Sequence, residues 1–139
     1  MSAKERPAAP AIPIGVEHRI EKTVPLEWTI AAHDPRLPAV FSTPAMIGLM
    51  DWAAAYAVQP YLPEGTITVG TRIEVDHLKA APVGTSVYAS ARLISQEGRF
   101  LTFEVEAGMG DTLIGRGRVY RAIVEPKSFS SKAAARSSS

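Results

Sequence analysis

Residues 44–58 read PAMIGLMDWAAAYAV. Apolar and small residues follow one another here at every phase of a helical turn, so the segment predicts a helix buried on all sides. Thr43 is of the type that caps helix N-termini, Pro44 suits the first helical position, and Pro60 ends the run. After Gly65 the period changes to two. Ile67, Val69, Thr71, Ile73, Val75 and His77 alternate along one expected strand face, and Val87, Ala89, Ala91 and Leu93 along the next. Glu97-Gly98 predicts a tight turn before Leu101, Phe103, Val105 and Ala107. Gly108–Asp111 predicts another before a last strand over 113–124. Upstream, residues 16–24 alternate as a first strand, and 25–38 hold three prolines and predict mostly loop. The short turns imply antiparallel neighbours. A single sheet must curl around one apolar helix to bury it, so the expected class is α+β, a curled antiparallel sheet wrapped around a central helix.

The 139 residues suffice for one domain and a moderate core, short enough that a second subunit would help to bury surface. The expected limits are a loose Ala/Pro-rich arm over 1–13, the folded domain over 14–125, and a Ser/Ala-rich tail over 126–139. Fifteen Lys and Arg balance fourteen Asp and Glu, which gives no basic stripe for nucleic acid. There is no cysteine, which removes disulfides, thiolate metal sites and a thiol nucleophile, and suits the reducing cytoplasm. The start lacks the apolar run of a secretory signal. The apolar stretch over 44–58 is too short to cross a bilayer and contains Asp51, so no membrane association is expected.

Asp51 is the only charge in the helix. A buried carboxylate without a partner is costly, so Asp51 requires a partner, a bound water or a perturbed protonation. It serves either as a structural acid in a crevice or as a catalytic carboxylate, and the second reading is favoured because no other side chain in the helix is polar. Thr43 adds a hydroxyl at an end where free N–H groups can face a developing oxyanion. Pro44 has no N–H, so the amide of Ala45 is the first candidate donor. Thr43 and Asp51 are eight residues apart, about 12 Å along a helix. To act on one substrate they must be bridged by it or come from two subunits, which favours a two-fold dimer.

The histidines at 18, 33 and 77 lack metal-ligand spacing, so no metal site is expected. His77 ends the apolar face of its strand, either as a satisfied rim residue or as a general acid/base. His18 is expected to be structural, and His33 lies in a proline-rich loop. Gly115-Arg116-Gly117 lacks the third glycine of a dinucleotide loop and is better explained by a strand that curves or passes the helix. Arg116 and Arg118 share a strand face and either stay solvated or meet phosphate; Arg121 points the other way.

The stretch from Pro38, PAVFSTPAMIGLMDWAAAYAVQPYLPEGTITVGTRIEVDHLKAAPVGTSV, resembles the fluoroacetyl-CoA thioesterase-like family of hot-dog-fold proteins. The likeness continues through EGRFLTFEVEA and IGRGRVYRAIV. Its specific parts are V-F-x-T, the G-L-M-acid-W helix and the V-G-T…H segment. The resemblance implies a dimer, with pairing into tetramers open, that hydrolyses acyl-CoA thioesters and needs no cofactor beyond the CoA of its substrate. It implies Thr43, Asp51 and His77 as catalytic residues, and Gly70 and Arg121 at the acyl-CoA site. The fluoroacetyl-specific members carry glutamate in place of Asp51, and phenylalanines where this chain has Asp34 and Leu37. The expected substrate is therefore a general short-chain acyl-CoA or one whose acyl group the sequence does not identify. In the enzyme reading Asp51 attacks the thioester or activates water, Thr43 orients the substrate, and His77 moves protons. The alternatives are a non-catalytic acyl-CoA or small-ligand binder and, more remotely, a hydratase.

Overall fold

A computed structural model describes residues 9–127. Five strands and one long helix follow in the order β1 (Glu17–Thr23), α1 (Thr43–Val58), β2 (Ile67–His77), β3 (Ser86–Glu97), β4 (Phe100–Met109) and β5 (Thr112–Val124). Single 3₁₀ turns at Leu26–Trp28 and Ile30–Ala32 occupy the proline-rich loop. The strands form one antiparallel sheet in the order β1-β3-β4-β5-β2. The hairpins β3–β4 and β4–β5 follow from short turns. The first of these turns places Gly98 at φ 60°, a left-handed conformation that costs glycine no Cβ clash. The longer loop after His77 instead carries the chain across the sheet, so β2 pairs with β5 rather than β3.

α1 lies across the concave face, chiefly over β3 and β1. Met46, Met50, Ala53, Ala54 and Ala57 pack on Val87, Ala89, Ala91 and Leu93 of β3 and on Leu101, Phe103 and Val105 of β4. These strand residues are the alternating ones that the sequence pattern assigns to the core. Truncating one, such as Phe103, removes about 3–5 kcal/mol of packing. Alanines on both surfaces allow the helix and sheet to approach closely. Gly115 extends this closeness: a Cβ there would sit 2.5 Å from Met46 Sδ. Gly115 thus marks a strand passing beneath the helix, whereas a Cβ at Gly117 would meet the backbone of β2 at Glu74 and Val75.

Four sequence expectations change. The helix starts one residue earlier than Pro44, and its cap is Ser42, whose Oγ accepts from the Ala45 amide at 3.2 Å. Thr43 is the first helical residue, because Ser42 holds the extended backbone that a cap requires. The helix is also not covered on all sides. Trp52 and Tyr56 are half exposed and stack on each other, and Tyr56 also meets the ring of His18 on β1. Nor does β2 keep one face over its length. Its register with β5 shifts between Gly70 and Arg72, leaving Thr71 as the extra residue of a bulge. Gly70 pairs with Arg121 and Ile73 with Val119, so Thr68 and Gly70 share the helix side with Ile73, Val75 and His77, and Ile67 and Val69 turn outward. Finally, the expected arm is held from Pro10 onward. Ile12 is buried in the core, its N–H donates to Gln96 Oε1 at 2.9 Å, and Gln96 Nε2 donates to the Pro10 carbonyl at 2.7 Å. The rest of the arm, residues 1–8, and the tail from 128 on lie outside the described residues.

The reassigned cap makes a simple expectation. Ser42→Ala should lower stability by about 1 kcal/mol, whereas Thr43→Ala leaves the cap intact. Thermal unfolding of the two variants checks this. Thr43→Ser keeps the hydroxyl and is expected to retain more activity than Thr43→Ala.

Candidate active site

Two polar clusters lie along the flank of α1 that faces β2. The first is at the helix start. Close passage over Gly115 brings the first turn of α1 to the end of β2, where Thr43 Oγ1 meets His77 Nδ1 at 2.8 Å. The strand end is fixed there by Leu78 and Lys79, whose N–H groups both donate to the Ile114 carbonyl. Thr43 is exposed and His77 half buried. His77 Nε2 is buried and has no hydrogen-bond partner among the described residues. A buried polar atom without a partner is costly in a resting protein and useful where a reacting group is to bind. If Nδ1 carries the proton, Thr43 Oγ1 accepts it and the hydroxyl hydrogen is free to face a substrate oxygen.

The second cluster is two turns further along. Asp51 Oδ1 accepts from Arg121 Nη1 in an ion pair. The arginine is almost wholly buried, while the Asp51 side chain is about one third exposed, at 34%. Arg121 Nε donates to Thr68 Oγ1 at 2.8 Å, and Nη2 donates to the Thr68 carbonyl at 2.8 Å. Gly70 lies opposite: a Cβ there would stand 3.5 Å from Asp51 Oδ2 and 3.6 Å from Arg121 Nη1. A glycine at this point leaves open the approach to the carboxylate. The partner that a lone helix carboxylate requires is therefore Arg121, reached across 70 residues of sequence.

The structure thus groups Thr43 with His77, and Asp51 with Arg121 and Gly70. It does not bring the two groups together within one chain. Ala45 stands apart from both, since its amide is engaged by the Ser42 cap. Arg116 and Arg118 are on the outer face of the sheet, opposite Glu106 and Asp76 and opposite Glu104 and Glu74 respectively. They form a solvated ladder of alternating charge, remote from the helix carboxylate. Sequence reasoning passed over Thr68, although its i−2 spacing from Gly70 on a strand was the available signal. Asp34 is tied to its own loop. The Arg36 guanidinium and then the Arg36 amide hold its carboxyl below the usual aspartate range. Leu37 beside it is exposed. Among the described residues no group of His, Asp or Glu could hold a metal ion. No helix among them is long and apolar enough to cross a membrane.

Comparison with known proteins bears on the family and the fold. Residues 24–127 match the fluoroacetyl-CoA-specific thioesterase family. The chain is 43% identical over 95 residues to the fluoroacetyl-CoA thioesterase of Streptantibioticus cattleyicolor, a match spanning 68% of each protein. A solved threonine-to-serine mutant of the fluoroacetyl-CoA thioesterase FlK, in complex with acetyl-CoA, superposes with a TM-score of 0.84 at 34% identity, covering 90% of this chain and 98% of that one. A thioesterase superfamily member from Thermus thermophilus superposes equally well, with a TM-score of 0.84 at 30% identity over 92% of this chain and 95% of its own. Five antiparallel strands around one helix, with these relatives, make the fold the hot-dog fold, its sheet open at β1 and β2. The chain accordingly belongs to the fluoroacetyl-CoA-specific thioesterase family, as an enzyme of that fold.

Proposed function

We propose that the protein hydrolyses short-chain acyl-CoA thioesters at sites built by two copies of the chain, Asp51 of one subunit working with Thr43 and His77 of the other. The observation that carries this reading is the helix carboxylate, part exposed, fixed by a buried arginine and facing a glycine. Arg121 occupies Oδ1, which leaves Oδ2 to act on a substrate or water. Aspartate is short and is held here from one side, so a water between it and the substrate suits the geometry better than direct attack. In this reaction Oδ2 takes a proton from water as the water oxygen bonds to the thioester carbon. Thr43 donates to the carbonyl oxygen as it gains charge. The carbon–sulfur bond then breaks, the proton that Asp51 took from water passes by way of His77 to the leaving sulfur, and the products are free acid and CoA.

Two features support assembly from two subunits. The clusters are offset along α1 by eight residues, or about 12 Å, so one substrate carbonyl does not reach both within a chain. The two open sheet edges also differ. β1, with the sequence EHRIEKT, carries charges along its length, which discourage strand pairing. β2 is an eleven-residue edge with part-exposed Ile67 and Ile73, suited to pairing with a second β2.

A mixing experiment tests the composite site. Neither His77→Ala nor Asp51→Asn should turn over alone. Unfolded and refolded together, half the dimers would be mixed, each with one complete site, so activity should return to about a quarter of wild type. No recovery, or a stable and active monomer in light scattering, would contradict the two-subunit site. The loop makes a further expectation: with Asp34 engaged by Arg36 and Leu37 turned to solvent, neither side chain is placed to enclose a fluorine. The ratio of kcat/KM for fluoroacetyl-CoA over acetyl-CoA should lie within about tenfold; a much larger preference would show that another part of the site selects fluorine.

A further inference from the structure

Among the described residues the buried polar or charged side chains are Thr29, Ser42, Thr68 and Arg121. Two have local duties: Thr29 Oγ1 donates to the Leu26 carbonyl three residues back, and Ser42 caps α1. The other two are engaged with each other. Thr68 gives both its hydroxyl and its carbonyl to Arg121, at 2.8 Å each, and these take Nε and Nη2 of the guanidinium. The third engaged nitrogen, Nη1, meets Asp51.

The geometry points to Thr68 as a positioning residue of the active site, one that sets the plane of Arg121 and through it aims the Asp51 carboxylate past Gly70. This rests on the proposed role of Asp51. A guanidinium is rigid and planar, so fixing two of its nitrogens fixes the third. Thr68 can do this because of its register. Gly70 pairs with Arg121, which puts Thr68 two residues along the same face, at the diagonal that a long side chain reaches. The Thr71 bulge follows immediately and turns Arg72 outward, so the strand gives Arg121 no second cation as a neighbour on that side. With the Thr68 hydroxyl absent, Nε has no acceptor in a buried site, and Thr68 holds the guanidinium only at Nη2 through its carbonyl, a single contact about which the plane can tilt. Asp51 keeps its charge partner but loses its fixed direction. Small errors of aim cost rate rather than binding.

The test uses the full chain with acetyl-CoA as substrate. Thr68→Val is nearly isosteric and removes only the hydroxyl. It is expected to lower kcat about tenfold with KM little changed. Thr68→Ser restores the acceptor and should return kcat to near wild type. In an Arg121→Met background, Thr68→Val should cause no further loss, because the residue it acts through is gone. Should the valine variant not fold, Thr68→Ala, which leaves room for a water at Arg121 Nε, serves instead, with kcat expected below that of Thr68→Ser. Wild-type kcat in a folded Thr68→Val or Thr68→Ala variant overturns the proposal, as does an equal loss with and without Arg121. Asp51→Asn separates the two levels. If it is inactive while Thr68→Val is fully active, only the role of Thr68 fails; if Asp51→Asn is itself fully active, the role of Asp51 fails first.

Discussion

Asp51→Asn should lower thioester turnover by about 10²–10⁴-fold while the fold and CoA binding persist. Asparagine matches aspartate in shape, and its carbonyl oxygen can still accept from Arg121 Nη1. Oδ2, however, becomes an NH₂ group, which donates hydrogen bonds and cannot take a proton from water. The variant therefore removes the proposed base without removing the contact. Some stability is lost, since the almost wholly buried Arg121 keeps its charge without a counter-ion. Thiol release, circular dichroism and CoA titration together distinguish loss of chemistry from loss of structure. Asp51→Glu sharpens the test, because it lengthens the side chain by one methylene opposite the space at Gly70. It should retain far more activity than Asp51→Asn. Single turnover in ¹⁸O-labelled water adds to this: label in Asp51 would show a nucleophilic carboxylate whose anhydride water opens at the aspartyl carbon, whereas activation of water puts label in the product acid alone.

His77→Ala is the second large effect expected, a loss of about 10²–10⁴-fold in kcat. Its ring has one nitrogen on the Thr43 hydroxyl and the other buried without a partner. Removal therefore deprives Thr43 of its orienting contact and, in the proposed reaction, the leaving sulfur of its proton source. The stability cost should be small, because the ring forms only this one side-chain hydrogen bond. Steady-state kinetics beside a thermal melt check both parts. A variant that melts like wild type and turns over like wild type would place His77 outside the chemistry.

The fold was largely legible because its signals are local. Val87 to Leu93 and Leu101 to Ala107 alternate on single strands, and Glu97-Gly98 sets its own turn. The run over 44–58 could be no strand at that length. The cap was misplaced by one residue because Ser42 and Thr43 are both capping types in adjacent positions, and only the backbone decides between them. The exposed Trp52 and Tyr56 could not be foreseen, since periodicity shows that a face is apolar and not what covers it.

The candidate site could be named from the sequence as separate residues, and its geometry could not. Asp51 stood out as a charge in an apolar helix, and the need for a partner followed from the cost of burying it. Nothing local pointed to Arg121, which faces Asp51 only because α1 crosses β5 there. The Thr71 bulge is likewise invisible in the alternation of β2, yet it decides that Thr68 and Gly70 share the helix side with His77. Arg116 and Arg118 show the reverse case. Their spacing left phosphate binding open, and the register closes it by seating each between acidic neighbours on the outer face.

Release of free thiol from a panel of acyl-CoAs, by wild type and Asp51→Asn in parallel, tests the central claim most directly. The account predicts that wild type liberates CoA from short-chain acyl-CoAs and that the variant binds the same compounds with little or no release. Wild type that binds acyl-CoAs without releasing thiol, or an Asp51→Asn variant as fast as wild type, would contradict it.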